Sequence, residues 1–420
     1  MLTEVSDHSA ATSFPHHSNE DSMYRLALIV GLAALPSAMA AQAASASSAS
    51  GRTGPRPLPA PDVTFAEPFS ALSPGTVREL RDGRLIVADA RDQRIHLVDL
   101  DRSTSQALSN EGSGPREFVT PLRALGIGGD STLIFDSGNS RYLLLDPAGR
   151  AITTWRPAVS RAEGGSMNFL VPARGADREG RLYVEAPPPP AGDGTFSTAD
   201  TAPVIRIDRR TNRVDTLVWV RVLGLKSTTR DGQVTVVSGG GNPLTPRDEW
   251  AVFPDGRIAV ARHSPYRIDV VWPDGRLQRG APIPFTPKPI TQADKDEEEE
   301  RRRLMNRDRQ NSSVRLPDGG LITHNRAIAQ PPLSNFPATK PPFRAGLATV
   351  IARPTGELWV RRLEAAGSRG SLYDVIDASG AVSHQVRLEQ GTGLVGFGAS
   401  AIYTTRADED GLMTLRRHRE

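Results

Sequence analysis

The stretch DGRLIVAD, residues 82–89, decides the fold because related stretches recur along the whole chain. Each has a turn that contains glycine or lies beside one, followed by an apolar strand. A repeat of this kind indicates an architecture built from one supersecondary unit. The other copies are GDSTLIFD (129–136), EGRLYVEA (179–186), DGRIAVAR (255–262), TGELWVRR (355–362) and the degenerate GASAIYTTR (398–406).

Further strands surround each copy of the motif. An apolar strand precedes the turn, and a third strand follows the motif after a loop. Fourth strands are predicted at 151–156, 214–220 and 382–388, and the pattern is weaker at 104–108 and 276–283. The unit is therefore a four-stranded antiparallel meander. The third strands are RIHLVDL (94–100), RYLLLDP (141–147), VIRIDRR (204–210), RIDVVWP (267–273), LYDVIDA (372–378) and LMTLRRH (412–418).

These meanders predict an all-β fold, a six-bladed β-propeller. A small sheet cannot bury both faces alone, but six sheets packed face to face around an axis bury them all. Repeats of about 45 residues are typical of this fold. The sixth unit has only three strands, so the strand-like segment DVTFAEPF (62–69) is predicted to supply its outer strand and close the ring. A pair of β-sandwiches is the alternative.

The junction EGSGPREFVTP (111–121), together with DARDQRI (89–95), resembles the blade junctions of NHL-type six-bladed propellers. It is also similar to secreted bacterial six-bladed propellers, whose junction often reads G-x-G-P-G-E-F, and FPATKPPF (336–343) resembles a segment of that group. The resemblance covers about 62–420 and implies the fold but almost no chemistry. Phe118 is predicted to pack between blades. The matching residues are Gly112, Gly114, Pro115, Glu117, Phe118 and Pro121, and Arg116 replaces the third glycine.

The segment LALIVGLAALPSAMA (26–40) follows Arg25 and predicts a secretory signal, cleaved near Ala40 or Ala43. An uncleaved anchor is the alternative. The first 22 residues of the chain contain no lysine or arginine, which suggests that translation starts at Met23. We therefore expect a signal region at 1–43, a disordered linker at 44–61 and a propeller at 62–420. The mature protein would be periplasmic or extracellular, without a transmembrane span.

Composition excludes several kinds of chemistry. The chain contains no cysteine, which rules out disulfides and thiol nucleophiles. The formal charge is only +3 and aromatic residues make up 5%, so nucleic-acid binding is not expected. His263 and His324 fall in loops without metal-ligand spacing, and no G-x-S-x-G motif occurs. We predict no metal, no cofactor and no recognisable catalytic set, although Glu117 and Asp248 are candidate acid–base groups.

The crossover rim, defined as the face that carries the blade-to-blade crossovers and the loops between second and third strands, is predicted to be functional. The long irregular segments 157–167, 186–203, 221–248 and 288–345 all fall there, and long loops on a rigid scaffold often bind ligands. The insertion 288–345 contains a predicted helix at 291–310, followed by a proline-rich stretch at 331–342. It is either a lid or a solvated spacer.

The insertion helix is predicted to begin with a cap formed by Thr291 and Asp294. Its acidic first half and basic second half match the helix dipole. Ion pairs at i,i+4 spacing are expected along it, namely Glu297/Arg301, Glu298/Arg302 and Glu299/Arg303.

The residue that ends each repeat motif supplies the candidate binding groups. Asp89 and Asp136 are followed by Arg94 and Arg141, which predicts structural ion pairs. The three later blades place arginine at this position, without an evident local partner. Converging guanidinium groups suit carboxylate, phosphate or sulfated ligands, and ordinary surface arginines are the alternative. The predicted ligand-binding residues are Arg262, Arg362 and Arg406.

Together these features favour an exported binding or interaction module that holds an anionic small molecule or a protein partner on the crossover rim. We expect a monomer. A hydrolase or lyase acting on a small or peptide-like substrate is the main alternative, followed by a purely structural scaffold of the cell envelope.

Overall fold

The computed structural model describes residues 54–108, 111–157, 172–191, 197–230, 233–238, 244–310, 313–315, 321–323, 333, 335–346 and 349–420. The predicted signal region 1–43 lies outside these residues, as do positions 44–53 of the predicted linker and His324.

The first half of the described chain forms three sheets, each with four strands paired in chain order and antiparallel. Two short strands precede them, β1 (Arg56–Pro57) and β2 (Val63–Thr64). The blades are β3 (Val77–Glu79), β4 (Leu85–Asp89), β5 (Arg94–Asp99) and β6 (Thr104–Ala107); β7 (Pro121–Gly126), β8 (Thr132–Asp136), β9 (Arg141–Leu145) and β10 (Ala151–Trp155); β11 (Gly175–Ala176), β12 (Leu182–Glu185), β13 (Thr201–Ile207) and β14 (Val214–Arg221).

The second half adds three more blades and two hairpins. One hairpin lies between the third and fourth blades, and the second follows the insertion helix α1 (Gln292–Gln310). The strands are β15 (Leu225–Arg230) and β16 (Gln233–Ser238); β17 (Glu249–Val252), β18 (Ile258–His263), β19 (Tyr266–Val271) and β20 (Leu277–Gln278); β21 (Ser313–Arg315) and β22 (Leu321–Thr323); β23 (Val350–Ala352), β24 (Leu358–Arg361), β25 (Ser371–Ile376) and β26 (Val382–Leu388); β27 (Thr392–Phe397), β28 (Ala401–Ala407) and β29 (Met413–Arg419).

The N-terminal segment closes the ring. Strand β2 pairs antiparallel with β29, and the Phe65 amide donates to the Leu415 carbonyl at 2.9 Å. The sixth blade thus takes its outer strand from the other end of the chain, as the sequence predicts. Within the predicted linker, strand β1 pairs in parallel with β26 of the fifth blade, matching Arg56 with Val386.

Six apolar clusters make up the core, one between each pair of consecutive blades. The cluster between the sixth and first blades, which includes Tyr403 and Leu85, completes the circle. Phe118 is fully buried among Ile86 of the first blade and Ile134 of the second, as predicted. Apolar faces packed around a circle confirm the six-bladed propeller.

The junction 111–121 is fixed by its own blade. Arg141 donates to the carbonyls of Gly114 and Glu117 at 2.7 and 2.6 Å. A Cβ on Gly112 would lie 2.1 Å from the Glu117 carboxylate, so a larger residue does not fit there without a shift. The predicted pair of Arg141 with Asp136 is confirmed at 3.4 Å. These contacts give the glycine-rich junction a structural role.

The predicted ion pair between Asp89 and Arg94 in the first blade is wrong. The structure gives Asp89 no ion pair with Arg94. The Asp89 carboxylate instead accepts hydrogen bonds from the amides of Ser70 and Ala71, at 2.6 and 3.1 Å. These amides belong to the incoming crossover, so the aspartate fastens one blade to the next.

Candidate functional site

Arg262 is not free, contrary to the prediction that it lacks a local partner. Its Nε lies 2.9 Å from Asp269 and its Nη1 lies 2.7 Å from Asp248. Both aspartates are buried. In the β18–β19 pair, Asp269 lies diagonally across from Arg262, on the same face of the sheet. The guanidinium therefore compensates two buried charges.

Arg362 and Arg406 also have partners. Arg362 Nη1 lies 2.7 Å from the buried Asp374, and its guanidinium lies over the ring of Tyr266. Arg406 is half-exposed and lies 3.7 Å from Glu389. The prediction of three unpartnered arginines is thus wrong. Arg406 remains a candidate because its contact is long and exposed, and such pairs are weak.

Asp248 and His263 form a dyad on the crossover rim. His263 Nδ1 lies 3.1 Å from Asp248 Oδ1. His263 Nε2 makes no hydrogen bond with any described residue. Burial alone would raise the pKa of Asp248, but hydrogen bonds from His263, the Arg221 amide and Arg262 outweigh it and lower that pKa to about 2. The carboxylate stays ionised and can orient the imidazole.

A ring of four alternating charges joins the third and fourth blades, and no local sequence pattern predicted it. Arg174 contacts Glu185 and Glu249, each at 2.7 Å. Arg247 contacts the same two carboxylates at 3.1 and 3.0 Å. Every guanidinium thus touches both acids. The ring fixes the seam between blades and leaves neither glutamate unpaired.

A cavity of about 480 Å³ opens on the crossover rim beside the fifth and sixth blades. Three kinds of segment form it: the crossover 389–391, the segment 72–74 that leads into the first blade, and strand and loop residues of the fifth and sixth blades. The cavity therefore lies on the rim where the sequence predicts function. Its lining residues come from distant parts of the chain, which is why no local motif marks it.

The cavity combines a cation with the hydroxyl groups of nearly buried residues. Arg361, at the end of β24, lines it, is exposed and makes no ion pair with the described residues. Tyr373 and Thr405 line it while only 3% and 5% exposed, and their hydroxyls make no hydrogen bond with a described residue. Burial raises the pKa of Tyr373, so its phenol stays protonated. These groups can serve a ligand.

Helix α1 holds one wall of this cavity. Asp294 accepts hydrogen bonds from Lys340 Nζ and the Ala366 amide, at 2.6 and 2.8 Å. Glu297 accepts one from the Gly367 amide at 3.0 Å. The next residue along, Ser368, lines the cavity. The insertion is therefore fastened to the fifth blade through carboxylates.

Two predictions about α1 have different outcomes. The cap is confirmed, because Asp294 accepts from the Thr291 amide and hydroxyl at 2.8 Å. The ion pairs along the helix have i,i+3 spacing instead of the predicted i,i+4 spacing. They join Glu298 to Arg301, Glu299 to Arg302 and Glu300 to Arg303. Glu298 is buried and also binds Arg344, outside the helix, so packing against the blade sets the geometry.

Two further observations concern the described residues as a whole. None of their helices is long and apolar enough to cross a membrane. Within those same ranges, no three or more His, Asp and Glu side chains are grouped to hold a metal ion.

Comparisons with known proteins add little beyond the fold. No family model and no curated protein matches this chain. Among solved structures, a gluconolactonase from Xanthomonas campestris is similar at 12% identity, over 87% of this chain and 98% of that one, with a TM-score of 0.40. A regucalcin from Agrobacterium tumefaciens is 13% identical over 87% and 96%, with a TM-score of 0.33. A streptogramin B lyase is 10% identical over 85% and 86%, with a TM-score of 0.34. These values are too low to carry over an activity, and the six-bladed architecture rests on the strand pairing described above.

Proposed function

We propose that this chain is an exported binding module that holds an anionic ligand on its crossover rim, in the cavity beside the fifth and sixth blades. The carrying observation is Arg361, a guanidinium that lines the cavity without a carboxylate partner among the described residues. An arginine in this setting suits bidentate contact with a carboxylate or phosphate. Arg406 lies at the edge of the cavity, next to the lining residue Thr405, where Glu389 at 3.7 Å offsets part of its charge.

The other two arginines predicted from the sequence fit this site less well. The guanidiniums of Arg262 and Arg362 contact buried aspartates, and removing either would leave an uncompensated charge. Their ligand-binding role stays a prediction, and their contacts favour a structural role.

The binding proposal is tested by calorimetric titration of the full mature chain with acetate, inorganic phosphate and glucuronate. We expect at least one of these anions to bind, and Arg361→Gln to weaken that binding at least tenfold. The matched control is Arg210→Gln, which removes an exposed arginine from the turn between β13 and β14. Equal loss in both variants, or no binding by any anion, would overturn the proposal.

The export part of the proposal rests on the apolar segment 26–40, which follows Arg25. Intact-mass measurement on protein from the envelope and culture fractions tests it. We expect a mature chain beginning at Ala41 or Ala44. An unprocessed chain confined to the cytoplasm would contradict this expectation.

The His263–Asp248 dyad favours a second candidate function, the hydrolase or lyase. A carboxylate that orients an imidazole with its other nitrogen open is an arrangement used for general base catalysis. The opposing observation is that Arg262 shares the same carboxylate. Turnover of a chromogenic ester that is lost in His263→Gln, and retained in Arg361→Gln, would favour this candidate over the binding module.

A further inference from the structure

The cavity beside the fifth and sixth blades has the size of a small organic ligand. Its volume of about 480 Å³ falls within the usual range for small-molecule sites. Acetate or phosphate alone would occupy the neighbourhood of Arg361 and leave most of this space to water. The dimensions therefore favour a ligand larger than a simple anion.

Hydroxyl groups dominate the polar lining. Tyr373 and Thr405 are nearly buried, and their hydroxyls make no hydrogen bond with a described residue. A hydroxyl both donates and accepts, so a wall of such groups matches a ligand that carries several hydroxyls of its own. A ligand without them would exclude water from these hydroxyls without replacing its hydrogen bonds, at a cost in affinity. The remaining lining hydroxyls belong to Ser73, Ser368, Ser371 and Thr392.

Apolar side chains form the rest of the lining. Leu72 and Pro74 come from the segment that leads into the first blade, and Leu394, Val395 and Met413 come from the sixth. A mixed wall of this kind fits a ring with hydroxyls at its edge and C–H groups on its faces. Glu389, at the rim of the cavity, can accept a hydrogen bond from a ligand hydroxyl.

We propose that the ligand is a polyhydroxylated carboxylate of mono- to disaccharide size, that is, an acidic sugar. This inference rests on the proposed binding function. The ligand carboxylate binds Arg361, and its ring hydroxyls exchange hydrogen bonds with Tyr373 and Thr405. The ligand needs both a negative charge and hydroxyl groups to make all of these contacts. A neutral sugar lacks the first, and a simple carboxylate lacks the second.

Calorimetric titration of the full mature chain tests the inference with three probes: glucuronate, glucose and acetate. Glucose lacks the charge of glucuronate, and acetate lacks its hydroxyls. We expect glucuronate to bind at least tenfold more tightly than either. Arg361→Gln should lower the affinity for glucuronate to that for glucose. Thr405→Val removes one hydroxyl at nearly constant volume. It should weaken glucuronate binding about five- to tenfold and leave acetate binding unchanged. The circular dichroism spectrum of this variant should be unaltered.

The outcomes separate this inference from the proposal beneath it. If acetate binds as tightly as glucuronate and depends on Arg361, the acidic-sugar inference fails and the anion site stands. If glucose binds as tightly as glucuronate, the inference fails as well. If no anion binds in an Arg361-dependent way, both fail.

Discussion

Lys340 Nζ lies 2.6 Å from Asp294 Oδ1, and both residues are only 6% exposed. The same carboxylate accepts the Ala366 amide hydrogen, so one buried charge joins the insertion helix to the wall of the candidate cavity. The insertion is therefore neither a solvated spacer nor a free lid at this point. It braces the binding surface.

Replacing Asp294 should loosen this brace. We expect Asp294→Asn to lower the free energy of unfolding by about 3 kcal/mol, because the Lys340 charge stays buried without compensation. Amide hydrogen exchange at Ala366 and Gly367 should accelerate at least tenfold. The control is Asp296→Asn, which changes an exposed aspartate on the same helix. Unchanged exchange at Ala366 in Asp294→Asn would refute the bracing role.

Acid should weaken the same contact. Burial would raise the pKa of Asp294, but hydrogen bonds from Lys340, Thr291 and Ala366 outweigh it and lower that pKa to about 2. A carboxyl whose pKa is depressed on folding stabilises the fold above its unfolded value of about 4, and this contribution is lost as the pH falls toward 2. We expect about 2 kcal/mol from Asp294 across this window. Urea unfolding at pH 6 and pH 2.5 measures this contribution. Between these two pH values, the free energy of unfolding should fall less in Asp294→Asn than in the wild type. An equal drop in both proteins would contradict the assignment.

Arg262→Gln distinguishes a structural arginine from a ligand-binding one. The substitution leaves the buried Asp248 without a guanidinium partner among the described residues, whereas Asp269 keeps Arg267 at 2.8 Å, and we expect a loss of about 3 kcal/mol in unfolding free energy. Arg406→Gln should cost less than about 1 kcal/mol because its contact is exposed. Chemical denaturation of both variants makes the comparison. If Arg262→Gln leaves the free energy of unfolding unchanged and abolishes anion binding, the original ligand-binding hypothesis for Arg262 would be restored.

Phe118→Ala tests the role of the glycine-rich junction. The ring is fully buried between the first and second blades, and its removal should cost about 3–5 kcal/mol. Ile152→Ala, at a half-exposed apolar position of the second blade, is the matched control and should cost less than about 1 kcal/mol. Equal midpoints of urea unfolding for the two variants would show that the junction does not anchor the seam.

Local sequence was sufficient for the fold and for the helix cap. The glycine turns and alternating strands predicted the blades because both signals depend only on neighbouring residues. The cap at Thr291 was predictable for the same reason. The closing strand at Val63–Thr64 was predictable because the sixth repeat lacked one strand and a strand-like segment stood at the other end of the chain.

The partners of the charged residues were not predictable from the same signals. Asp89 binds amides of the preceding crossover, and Asp269 reaches Arg262 diagonally across a strand pair. Both contacts depend on register or on the packing of neighbouring blades. The candidate cavity was also missed, since the segment 72–74 meets the fifth and sixth blades only in the closed ring.

A crystal structure of the mature chain with glucuronate tests the central claim most directly. We predict ligand density beside the fifth and sixth blades, with the carboxylate within hydrogen-bonding distance of Arg361 and ring hydroxyls beside Tyr373 and Thr405. Glucuronate bound only elsewhere, for example at the His263–Asp248 dyad, or a cavity that stays empty at saturating glucuronate, would contradict it.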